Sequence, residues 1–150
     1  MRTQSMTDGG IQVKITAAVF ALSLLALTVG CASTKSAFPP SPTMPGVENV
    51  IELNPDVNGN NRVKLSVKYM PPADTLVPAR KFYVVWAQSP EGRTIPLGRL
   101  WVGSTRTGSF EATVPFLEFR LVVTAEDDVV PQSPAEPFLL SSDLLKAEPR

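Results

Sequence analysis

Residues 62–69, Arg-Val-Lys-Leu-Ser-Val-Lys-Tyr, alternate without a break between polar and apolar side chains. A period of two is that of an extended chain, so Val63, Leu65, Val67 and Tyr69 share one face and the lysines and serine the other. A strand with one buried and one wet face belongs to an antiparallel sheet lying on a core. Everything after residue 46 has the same grain. A strand at 47–53 leads into a loop containing Asn58-Gly59. Residues 82–87, Phe-Tyr-Val-Val-Trp-Ala, are apolar on both faces, as a central strand requires. Ser89-Pro90-Glu91-Gly92 then turns the chain, proline setting φ and glycine supplying a positive one. Strands at 95–102, 109–114 and 118–125 follow, and a short one at 137–141 comes last. In 118–125, Phe119, Leu121, Val123 and Ala125 point one way and Glu118, Arg120 and Thr124 the other. Residues 139–147 could form a turn or two of helix; no other helical period is present after the leader. Seven short strands with Pro/Gly turns in one stretch of 47–141 predict an all-β fold. The expected form is a single antiparallel β-sandwich, immunoglobulin- or fibronectin-like, with Trp86 in its core and no disulfide.

The flanks are of a different kind. Residues 15–29 are apolar and uncharged, follow Arg2 and Lys14, and end at Gly30 and the single cysteine, Cys31. As a helix this run covers only about 22 Å, against a hydrocarbon core of about 30 Å. Those dimensions suit the core of a cleaved signal peptide. The sequence Leu27-Thr28-Val29-Gly30-Cys31 resembles a bacterial lipoprotein signal, in which the cysteine is lipidated and the chain is cut between Gly30 and Cys31. Thr28 stands where that pattern favours leucine, and Met6 is an alternative start to Met1. A lone cysteine in an exported chain has no disulfide partner within its chain, which leaves lipidation or an idle thiol, and an uncleaved anchor helix is the third reading of the stretch. Ala32, rather than the aspartate that retains enteric lipoproteins in the inner membrane, implies the outer membrane, facing the periplasm. Residues 31–46 are rich in proline and serine and read as a disordered tether, spanning roughly 40–45 Å if extended. Residues 142–150 read as a C-terminal tail.

Composition excludes several classes of function. Without residues 1–30 the chain carries 12 basic and 13 acidic side chains, so no basic surface is on offer to nucleic acid. There is no histidine, which removes Ser-His-Asp and Cys-His catalysis and histidine metal sites together. Carboxylates remain. Glu126-Asp127-Asp128 is the densest group, but three consecutive residues cannot all face one cation. A small hydrolase would need Glu111, Glu118 and Glu126 to converge in a cleft. The glycines of 103–108 lack the lysine and the strand–loop–helix setting of a phosphate loop, and read as an exposed hairpin tip. Trp101 alternates with Leu100 and Val102. It either completes the core or, with Arg99, forms an exposed binding patch.

The segments Val67-Lys68-Tyr69-Met70-Pro71-Pro72-Ala73-Asp74, Tyr83-Val84-Val85-Trp86, Pro90-Glu91-Gly92-Arg93, Leu97-Gly98-Arg99-Leu100 and Phe119-Arg120-Leu121-Val122-Val123-Thr124-Ala125-Glu126 occur in that order. In this the region 64–140 resembles the extracytoplasmic C-terminal domain of anti-sigma-K-type factors, and similar segments occur in small envelope lipoproteins. The resemblance implies a β-sandwich that contacts something in the envelope. It does not extend to the sigma-binding helical domain, for which the fourteen residues before the apolar run leave no room. The expectation is a non-catalytic protein without metal or cofactor. It would be held in the bilayer by acylated Cys31 and bind an envelope protein or the cell wall through Trp101 and Arg99. The alternative is a structural accessory lipoprotein of an outer-membrane or secretion assembly.

Overall fold

The computed structural model describes residues 33–128 and 131–146. The leader, Gly30 and Cys31 lie outside the described residues. The chain forms β1 (Thr34–Ser36), β2 (Glu48–Pro55), β3 (Asn61–Lys68), a 3-10 turn (Ala73–Thr75), β4 (Phe82–Gln88), β5 (Thr94–Val102), β6 (Thr107–Val114), β7 (Glu118–Glu126), β8 (Leu140–Ser141) and β9 (Leu145–Lys146). All seven expected strands are present. On β3 the alternation becomes burial: Val63, Leu65 and Val67 are inside and Arg62, Lys64 and Lys68 outside. No helix among the described residues is long and apolar enough to cross a membrane.

The strands pair antiparallel in the order β1-β2-β3-β6-β5-β4-β7-β8, with β9 on the first residues of β7. One layer is β1-β2-β3-β6 and the other β4-β7-β8; β2-β3-β6 and β4-β7-β8 follow the A-B-E and C-F-G grouping of immunoglobulin-like sandwiches, with β1 added at the edge. β5 belongs to both. Its residues 94–100 pair with β4, and Trp101 and Val102 pair with β6. The sheet therefore curls continuously from one layer into the other, a half-barrel joined along one side. Two glycines make that passage possible. Val85 faces Gly98 while Trp86 faces Pro96, so Leu97 is bulged, and Gly98 holds a φ of +143° beside the Phe110 ring. At Gly108 a Cβ would lie 2.6 Å from the Trp101 carbonyl oxygen, so only glycine lets β5 come this close to β6.

Ile51, Leu53, Val63, Leu65 and Val67 from one layer meet Tyr83, Val85, Ala87, Phe119, Leu121 and Val123 from the other. Burial raises the Tyr83 phenol to about 12, with the Asp74 carboxylate adding to the effect, and its hydroxyl donates to the Pro71 carbonyl at 2.8 Å.

Four expectations are corrected. Trp86 is fully buried, but in a second cluster with Val84, Val122 and Phe138 on the outward side of the β4-β7 layer. Tyr69 does not continue the buried face of β3. Its φ of +60° breaks the alternation, and Met70 turns in instead. The segment read as a disordered tether packs on the domain from Ser33 onward. β1 lies on β2, Phe38 and Met44 are buried, and the Phe38 amide donates to Asn49 Oδ1 at 2.6 Å. Within the expected tail and helical turn, residues 142–146 instead carry β9, because Leu145 finds a place in the core and Ser142 Oγ accepts from the Leu121 amide; residues 147–150 lie outside the described residues.

Candidate functional site

The outer face of the β2-β3-β6 layer is ordered in rows across the strands. Lys35, Glu52, Lys64 and Glu111 stand opposite one another in turn, a ladder of alternating charge. One row along, Val50, Ser66, Ser109 and Trp101 stand in line. The next row holds Glu48, Lys68 and Thr107. At a strand spacing of about 4.8 Å the middle row is a neutral strip about 14 Å long, bracketed by charge on both sides.

Trp101 closes the strip and is 78% exposed, while Leu100 and Val102 beside it in the chain are buried. Trp101 is therefore exposed and does not complete the core. The indole stands over an open groove of about 470 Å³ with Ser66, Lys68, Thr107, Gly108 and Ser109. Arg99 sits two residues away on the same side of β5. Its guanidinium lies 4.5 Å from the centre of the Phe82 ring, a cation–π contact on the surface. Structure thus brings Trp101 and Arg99 onto one face and adds Lys68.

The strand ends next to this groove are strained. Tyr69 and Arg106 are non-glycine residues with φ of +60° and +58°. They are held to each other, Met70 N–H donating to the Arg106 carbonyl at 3.1 Å and Arg106 Nη2 to the Tyr69 carbonyl at 2.8 Å. Each such residue costs roughly 1–2 kcal/mol, and strain of this kind collects where a surface is used. Tyr69 is 57% exposed. Sequence reasoning missed Lys68, Tyr69 and Arg106, because pairing across β3 and β6 is what places them together.

The carboxylates do not converge. Glu111 lies on the outer face beside Arg62, and Glu118 binds Lys146 at 2.7 Å. Glu126 is at the other end of β7 from Glu118, about 26 Å away along the strand. It lies on the outward face of the layer with Thr124 and Trp86, buried beneath the returning segment, and accepts from the Thr124 hydroxyl at 2.5 Å and the Ala135 amide at 2.8 Å. Asp127 instead is exposed and paired with Arg80 at 2.7 Å, so the acidic triplet is split between a buried carboxylate and surface ones. The edges are also poor templates for an added strand. β1 and β8 are three and two residues long, a common protection against edge pairing.

A second concavity, about 840 Å³, lies at the far end of the sandwich between the β2–β3, β4–β5 and β6–β7 turns. Pro55, Val57, Pro90, Pro115, Phe116 and Leu117 supply its apolar wall. Around its rim, the Asn60 and Asn58 amides hold the Asp56 carboxyl below its ordinary value. No protein-family model, curated protein or solved structure matches this chain.

Proposed function

We propose that this protein is a lipid-anchored module of the bacterial outer membrane. Its β-sandwich binds a carboxylate-bearing envelope partner on the strip that ends at Trp101. The observation that carries the reading is Trp101 itself, a fully formed aromatic surface standing 78% exposed beside two cations, Arg99 and Lys68. Such a large apolar group is costly to leave in water and is typical of an interface centre. Ser66, Thr107 and Ser109 keep the ground around it low, so a partner can lie flat on the ring. Arg99 and Lys68 select for negative charge, which protein side chains and the peptide stems of peptidoglycan both carry. The lipoprotein-like run ending at Cys31 supports placement in the envelope.

The test has two arms. Full-length wild type and Cys31→Ser are grown with labelled palmitate and compared by intact mass and membrane fractionation. The wild type is expected to lack residues 1–30, carry acyl mass and sediment with membrane, and the variant to do none of these. Acylated protein is then sedimented with isolated peptidoglycan. Co-sedimentation that is lost in Trp101→Ala assigns the wall. No sedimentation, with a Trp101-dependent protein adduct in cells, assigns a protein. Failure of both overturns the binding role.

A further inference from the structure

The chain coming from Cys31 enters the domain at one particular end. Thr34 faces Leu53, two residues short of the β2–β3 turn. Three residues of chain reach at most about 11 Å, whereas β2 alone is about 26 Å long. A lipid on Cys31 therefore holds the turn end of the sandwich at the bilayer and leaves the Tyr69–Arg106 end beyond its reach.

That same end carries two apolar tips. Val57 is 89% exposed and Leu117 is 75% exposed, on neighbouring turns. The turns are tied together by Asn61, whose Nδ2 donates to the Phe116 carbonyl at 2.6 Å. The charges around them are engaged locally: Glu118 with Lys146 at 2.7 Å, Asp56 with its own loop, and Arg93 over Phe116 at 5.6 Å. Asp56, Glu91 and Glu118 are matched there by Arg62, Arg93 and Lys146, so this end has no excess of positive charge and attraction to anionic lipid is not what it is built for.

We infer that this end is a membrane-docking surface, with Val57 and Leu117 entering the interfacial layer of the bilayer that holds Cys31. The inference rests on the lipoprotein reading above. Two side chains are too few to hold a free domain on a membrane. The anchor raises their effective concentration at the surface, so their role is to set orientation. Docked in this way, the sandwich stands upright and carries the Tyr69–Arg106 end, with the groove beside it, away from the lipid.

Acylation consumes the native thiol, so Val57→Cys, Leu117→Cys and Val77→Cys each give one site for an environment-sensitive fluorophore. Val77 is fully exposed on the β3–β4 connection at the opposite end. The acylated full chains are placed in vesicles of phosphatidylethanolamine and phosphatidylglycerol containing spin-labelled lipid. Blue-shifted emission and quenching are expected at 57 and 117 and not at 77, unchanged between low salt and about 0.5 M salt. Water-like emission at all three sites, or quenching at 77 alone, overturns the inference and leaves the anchor standing. Intact mass of the same samples separates the other failure: without acyl mass the anchor falls, and the inference with it.

Discussion

Trp86 and Trp101 both point away from the main core, from the neighbouring strands β4 and β5. Trp86 is sealed from water and Trp101 is almost wholly in it. The difference lies in the course of the chain after β7. Residues around 135–139 return across the outward side of that layer, and Phe138 packs on Trp86, Val84 and Val122. Covering an indole also requires a partner for its N–H. Trp86 Nε1 donates to Thr124 Oγ1 at 2.8 Å, Thr124 donates to Glu126, and the Ala135 amide donates to the same carboxylate. A buried chain of donors and acceptors thus staples the returning segment to the sheet. Among the described residues nothing comparable covers Trp101, and small hydroxyl residues surround it. One tryptophan is used by the fold, and the other is left in water.

The largest expected effect falls on the covered side. Trp86→Ala should cost about 3–5 kcal/mol in denaturant unfolding, since it opens a cavity and breaks the chain of bonds together. A cost below about 1 kcal/mol would mean the outer cluster is not structural. Thr124→Val keeps the shape but strips partners from both the indole and Glu126, and should cost about 1–3 kcal/mol. Gly108→Ala probes how Trp101 is placed. Its Cβ would collide with the Trp101 carbonyl, so a loss of about 1–3 kcal/mol is expected, with chemical-shift changes centred on the β5–β6 junction.

Tyr83 gives a test by pH within the core. Its folded pKa is raised, so its contribution is fully present below about 10, the ordinary value, and is lost as pH rises through about 12. Stability should fall across that alkaline window, and Tyr83→Phe should flatten the fall. The smallest effect on stability belongs to Trp101→Ala, within about 0.5 kcal/mol, because the ring packs on little. A melt as damaging as that of Trp86→Ala would erase the contrast between the two residues.

Much of this fold is legible in the sequence because period-two burial is a local property. Residues 62–68 carry it in full, and strands β2 to β8 come from the same pattern and its turns. β1 and β9 are not legible. Thr34–Ser36 has no apolar alternation, and β9 is two residues long, so both exist through pairing to β2 and β7. The burial of Trp86 is legible in its apolar strand, but the face it uses depends on a long-range hydrogen bond to Thr124, 38 residues away. At the candidate site, Trp101 and Arg99 can be found because they alternate on one strand. Lys68 and the Tyr69–Arg106 pair come from β3 and from the turn into β6, and local sequence does not record that register.

The most direct measurement places a photoreactive side chain at Ser109, beside an intact Trp101, in the full-length protein in living cells. Thr113, exposed on the same face of β6 but away from the groove, serves as the control. The account predicts a discrete adduct from Ser109, absent from Thr113 and abolished by Trp101→Ala or Arg99→Glu. Adducts that are the same from both positions, or that survive both substitutions, would contradict it.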